Sequence, residues 1–154
     1  MDARRYLPEC DERYVEHFSY RIRDKPPPEW MALSSGIHAR VMVEGNGSSI
    51  TLYRLEPGRR FERHIHPFPE LGVVLVGRGV ALIGDEKRTL REGDSFYFPS
   101  GTPHGFEVDA EEPAVLMNVT VPLSSDVAGP PASEVLRSAK QAIRRDHDTS
   151  EAPG

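Results

Sequence analysis

The stretch HIHPFPELGVVLVGRGVALIGDEKRTLREGDSFYFPSGTPHGF, residues 64–106, decides the fold. Its apolar runs are short and rich in Val, Leu, Ile and Phe, and Gly or Pro breaks each of them before it could complete three helical turns. Residues 71–76 (LGVVLV) and 79–83 (GVALI) read as strands paired across Gly77-Arg78. A turn at 84–87 leads to RTL, then REGD, then the strand SFYF at 95–98. Outward from this stretch the pattern continues. IHARVMV (37–43), SITLYRLE (49–56) and RFERHI (60–65) precede it, broken by EGNGS and Pro57-Gly58, while GFEV (105–108) and AVLMNVTV (114–121) flank the acidic turn DAEEP. About nine strands at this spacing imply a closed or sandwiched β-barrel, because an open sheet of that size would leave unpaired edges.

The ends differ in character. In SEVLRSAKQAIRR (133–145), Val135, Leu136, Ala139, Ala142 and Ile143 form one helical stripe; Ser133 is the expected N-cap, and two arginines lie near the negative end of the dipole. VAGPPAS before it reads as a linker and DTSEAPG as a disordered tail. Residues 6–22 fit an amphipathic helix or an arm, and KPPPEW is extended because consecutive prolines forbid a helix. The expected organisation is an N-terminal arm over 1–30, a barrel over 31–122, and a linker, helix and tail over 123–154.

At 154 residues the chain fits one domain with a genuine core. Charged residues are 28% and hydrophobic ones 38%, and the longest apolar run, Val73–Val76, is far too short for a membrane span. MDARRYLPECDERY lacks the apolar core of a secretory signal, so a cytoplasmic location is expected. The single cysteine, Cys10, fits a reducing compartment and has no activating neighbours. A net charge of -5 and a pI near 5.7 argue against a nucleic-acid surface. Arg137, Lys140, Arg144 and Arg145 are interspersed with acids and read as a solvated helix face.

Chemistry concentrates at the two ends of the opening stretch. Side chains of a strand alternate faces, so His64 and His66 point to the same side, toward the barrel interior. Glu70 follows a bend stiffened by Pro67 and Pro69 and can swing back beside the two imidazoles. The candidate fourth donor is His104, whose approach is fixed by Pro99, Gly101 and Pro103.

This array resembles the cupins. Their first motif is Gly, five residues, His-x-His, three residues, Glu, six residues, Gly, matched by Gly58, His64, His66, Glu70 and Gly77. Their second begins Gly, five residues, Pro-x-Gly, two residues, His, matched by Gly93, Pro99, Gly101 and His104; Val108 stands where the motif has Asn. The resemblance covers roughly residues 30–122. It implies a small jelly-roll barrel holding one divalent transition metal ion through His64, His66, Glu70 and His104. Three imidazoles and a carboxylate suit Fe, Mn, Ni, Co, Cu or Zn rather than Ca or Mg. Within the family, the run is similar to the uronate-processing cupins of pectin and alginate breakdown. That group carries Gln at the place of Glu70, Asp near Asn118 and Arg where this chain has Leu123, so its ring-opening activity is not carried over.

Strand parity nominates further pocket residues: Tyr53, Tyr97, Phe106 and Asn118, each with core packing as the plainer reading. Arg40 either clamps a substrate carboxylate or points to solvent. His17, His38 and His147 lie outside the motifs. The function expected is that of a metal-dependent enzyme on a small oxygenated molecule such as a sugar acid or a keto or hydroxy acid. Dioxygenation and Lewis-acid isomerase, lyase or cyclase chemistry are both open, and a non-catalytic sugar- or acid-binding or sensor barrel is the alternative. No nucleic-acid or membrane partner is expected. The aromatic residues Tyr6, Tyr14, Phe18, Tyr20 and Trp30 point to a homodimer in which the arm packs on the neighbouring barrel.

Overall fold

The computed structural model describes residues 28–45, 47–122 and 127–143. Among the described residues ten strands make two antiparallel sheets. The first is six-stranded and contains, in spatial order, β1 (Met31–Ser34), β2 (Ile37–Gly45), β3 (Ser48–Leu55), β10 (Ala114–Thr120), β5 (Glu70–Val76) and β8 (Ser95–Phe98). The second is four-stranded, in the order β4 (Arg60–His64), β9 (His104–Val108), β6 (Arg78–Ile83) and β7 (Glu86–Arg91). The sheets face each other as a jelly roll, as the strand spacing and the motif predict. β1 was not among the predicted strands; its MALS sequence has no alternation, and it forms by pairing with β2.

Alternation builds the core. In β3, Ser49, Thr51, Tyr53 and Leu55 are buried, and in β10 Ala114, Leu116, Asn118 and Thr120 are, each strand turning its intervening residues outward. Phe61, Ala81, Phe106 and Val108 meet them from the opposite sheet. Val108 is 3% exposed and sits in this apolar layer, which accounts for an apolar residue at the position where the motif has Asn.

Parity turns two of the nominated pocket residues outward, and a third does not line the pocket. Ile37 and Ala39 face inward, so Arg40 faces outward, where its guanidinium lies 4.4 Å from the centre of the Trp30 ring and finds a cation–π partner rather than a substrate. Phe98 is buried, so its neighbour Tyr97 points outward and is 58% exposed. Phe106 is buried in the core and is not among the residues lining the pocket. His38 lies on the outer face opposite Arg54; His17, His147, Cys10 and residues 1–27 of the predicted N-terminal arm lie outside the described residues.

Among the described residues one helix, α1 (Ala132–Gln141), packs beside β1, β2 and β3. Val135, Ala139 and Ala142 of the predicted stripe are buried, with Leu136 and Ile143 packed against the same core. The cap differs from expectation. Pro131, not Ser133, occupies the N-cap and offers no side-chain bond. Glu44 at the end of β2 supplies the missing acceptor, taking the Ala132 N–H at 3.1 Å and placing a carboxylate at the positive end of the helix. The chain leading into α1 crosses the β2–β3 turn at Gly129 and Gly47, where a Cβ on either would collide with the other's backbone.

Candidate metal centre

The ligand-bearing strands are brought together by register. In the β4–β9 pair His64 and His104 are direct cross-strand partners despite the forty-residue gap, so their imidazoles lie side by side, ring centres 4.5 Å apart. β4 ends at His64, and the Pro67-Phe68-Pro69 turn carries His66 beneath the same site. The Gly101 N–H donates to the His66 carbonyl at 3.0 Å, tying this turn to the one that delivers His104. Glu70 opens β5 in the facing sheet, and Asn118 comes from the adjacent β10.

Each imidazole is oriented from behind. Nδ1–H of His64 donates to the Glu62 carbonyl at 2.8 Å, that of His66 to the Phe68 carbonyl at 2.7 Å, and that of His104 to the Thr102 carbonyl at 2.7 Å. A carbonyl only accepts, so Nδ1 keeps the proton and Nε2 of the neutral ring presents a lone pair to the centre. Phe68 stacks on His66 and Phe98 on His104, with ring centres 4.0 and 4.6 Å apart, which fixes the ring planes. The three histidine donor atoms lie within 4.8 Å of one another.

Glu70 completes the arrangement. Its Oε2 is 3.1 Å from Nε2 of His66 and 3.9 Å from Nε2 of His104, while Oε1 accepts a 2.6 Å bond from Nδ2 of Asn118. Lone pairs on Nε2 and on a carboxylate oxygen repel at this separation unless a cation lies between them. Nε2 of His104 is buried with no hydrogen-bond partner. An orphaned nitrogen beside a carboxylate is costly in a protein interior and fits a cation. Burial chiefly, opposed by the carbonyl bonds and Glu70, holds the pKa of both His64 and His104 below the ordinary histidine value, which keeps them in the neutral form a metal requires.

A small cavity opens beside the ligands. Tyr53, Phe61, Phe68 and Asn118 line it from the barrel, and Val135, Ser138 and Ala139 from α1. Of the five nominated pocket residues, Tyr53 and Asn118 are therefore present. Burial, with a lesser contribution from the Glu70 charge, raises the Tyr53 phenol far enough that it remains protonated at every physiological pH. The helix residues of this wall were missed: their stripe reads as core in the sequence, and nothing local says that Ser138, between stripe positions, faces a ligand cavity.

The comparisons with known proteins agree with this geometry. Residues 51–120 match the Cupin_2 model, a cupin domain. Oxalate decarboxylase OxdC of Bacillus subtilis (strain 168) is 31% identical over 111 residues, which is 65% of this chain and 28% of that protein. The chain thus spans little more than a quarter of that relative's length. Among solved structures, an RmlC-like cupin from Shewanella frigidimarina NCIMB 400 superposes with a TM-score of 0.58 at 18% identity, over 64% of this chain and 87% of that one. KdgF from Halomonas sp. superposes with a TM-score of 0.56 at 23% identity, over 64% and 89% of the two chains. At such identities these two structures bear on the fold alone. The domain match, the two-sheet barrel and a three-histidine cluster suited to a divalent metal agree: residues 51–120 carry a cupin domain.

Proposed function

We propose that the chain is a metal-dependent enzyme acting on a small, oxygenated, anionic organic molecule, with His64, His66, Glu70 and His104 holding one divalent ion of Fe, Mn, Ni, Co, Cu or Zn. The observation that carries this reading is the convergence of three carbonyl-oriented imidazoles on a carboxylate that Asn118 holds in place. When bound, a first-row ion supplies Lewis acidity toward a carbonyl or carboxylate, and iron adds reactivity with dioxygen.

The chain's own groups divide the remaining work. One carboxylate against a divalent ion leaves a formal charge of about +1, which draws an anion into the cavity. Tyr53 is a permanent hydrogen-bond donor at the cavity wall, placed to hold a substrate oxygen. Asn118 keeps Oε1 of Glu70 occupied so that Oε2 stays turned toward the histidines. Phe61 and Phe68 exclude water from the cavity's inner side. That the Bacillus relative is an oxalate decarboxylase supports a small carboxylate as substrate, with lyase chemistry and dioxygenation as the two reaction classes.

Metal analysis of anaerobically purified protein, followed by oxygen uptake and product analysis with small carboxylic acids, tests the proposal. Stoichiometric metal with turnover of one such acid is the expected result. Protein that folds but retains no transition metal at any supplied concentration would refute it. A non-catalytic binding barrel is the second reading, favoured by one observation: apart from the proposed ligands, Tyr53 is the only titratable residue lining the cavity among the described residues. We also propose a homodimer, supported by Met42, Leu71, Val76 and Tyr97 exposed on the outer face of the six-stranded sheet.

A further inference from the structure

The cavity beside the histidines is walled on one side by a part of the chain outside the barrel strands. We infer that α1 is the size-selecting wall of this pocket, that Ser138 is the group on that wall that binds the ligand, and that the ligands admitted are carboxylates of one or two carbons. The inference rests on the metal-site reading proposed above.

Three observations support it. Val135, Ser138 and Ala139, on successive helical turns of one face, line the same cavity as His64, His66 and Glu70. With α1 in place, the space open to the centres of water molecules is ≈ 30 Å³. One water needs about 10–15 Å³ of such space, so the pocket accommodates about two or three waters, or the few atoms of a small acid that extend beyond the ion. A six-carbon sugar acid would have to displace α1 or leave most of its atoms outside this space.

The wall is also fastened at both ends. Ala132 N–H is bonded to Glu44 at the start of the helix, and the Ala142 carbonyl accepts the Glu62 N–H at 2.6 Å at its end. Of the three wall residues only Ser138 carries a polar side chain, and its hydroxyl has no hydrogen-bond partner among the described residues. Tyr53 lines the same cavity from the barrel, so an anion there has a second hydroxyl within the pocket lining.

The test uses the full chain loaded with Co(II), whose visible absorption reports both metal uptake and anion binding. Oxalate is expected to shift the spectrum saturably, and D-galacturonate to leave it unchanged at a hundredfold higher concentration. Ser138→Ala should weaken oxalate about tenfold or more, the loss of one hydrogen bond to a charged ligand. Ala139→Leu should abolish the oxalate shift while Co(II) is still taken up, and Val135→Ala should let galacturonate begin to bind. Equal responses to both acids, no oxalate response with Co(II) bound, or unchanged isotherms in Ser138→Ala and Ala139→Leu would overturn the inference. Failure to take up Co(II) at all would instead refute the metal-site reading, and the inference with it. Should Ala139→Leu misfold, Ser138→Ala and the wild-type comparison decide the matter.

Discussion

Asn118 makes no hydrogen bond to the three imidazoles, yet it holds the carboxylate beside them by a 2.6 Å bond to Oε1. Replacing it with Ala should leave saturable metal binding intact and weaken affinity about 10–100-fold, the usual effect of losing a partner that orients a ligand; competition against a chelating dye would measure this. His104→Ala removes a donor outright, and metal content should fall to a small fraction of wild type while far-ultraviolet circular dichroism still reports a folded barrel. Acid should act in a defined direction on the metal-free protein. His64 and His104 have pKa values lowered from 6.5 chiefly by burial, so above 6.5 they are neutral both folded and unfolded and pH has no leverage through them. Below 6.5 the unfolded chain takes protons that the fold refuses, and stability falls until the folded pKa values are passed. Thermal unfolding should therefore drop in temperature between pH 7 and 5, with a shallower slope in His104→Gln. At this scale the sequence was largely readable: fixed motif spacing placed the three histidines and Glu70, which the fold brings together. Arg40 and Tyr97 were not readable, because parity says which residues share a face but not which face turns inward; Ala39 and Phe98 settle that only once packed.

Among the elements, the strands announced themselves through alternation and Gly or Pro punctuation, whereas β1 exists only because β2 lies beside it. The helix was legible as a stripe, but its cap was not, since the acceptor for Ala132 N–H comes from Glu44, eighty-eight residues earlier. The same holds for the crossing of Gly47 and Gly129. Two glycine-bearing turns were visible in the sequence, and their contact was not. Gly129→Ala places a methyl group against the Gly47 carbonyl. Because backbone rather than a flexible side chain must yield, it should destabilise the protein by about 1–3 kcal/mol, the range for overpacked sites. Chemical denaturation would show a lower midpoint with an unchanged slope.

Taken whole, the barrel presents two unlike exteriors. One end carries the pocket under α1. The outer face of the six-stranded sheet instead exposes Met42, Leu71, Val76 and Tyr97, more apolar surface than a strand edge needs, and it is the surface on which the proposed dimer would form. Light scattering coupled to size exclusion should give twice the 17.2 kDa chain mass. Tyr97→Lys together with Leu71→Lys, both on exposed positions, should shift the protein to a monomer without altering metal content. A monomeric wild type would remove the proposal. That the helix forms a wall of the pocket was not legible, because it depends on how distant segments dock and not on any local pattern.

Glu62 faces two ways at once: its N–H anchors the end of α1 at Ala142, and its carbonyl steadies the ring of His64. Docking of the helix and grip on the ion are in that case linked equilibria, and linkage is reciprocal. Whatever the seated helix adds to metal affinity, a bound metal must return as protection of the helix. Chelation should accordingly hasten protease cleavage within Ala132–Gln141 while the strands resist, making C-terminal nicking a gauge of how much ion the protein carries.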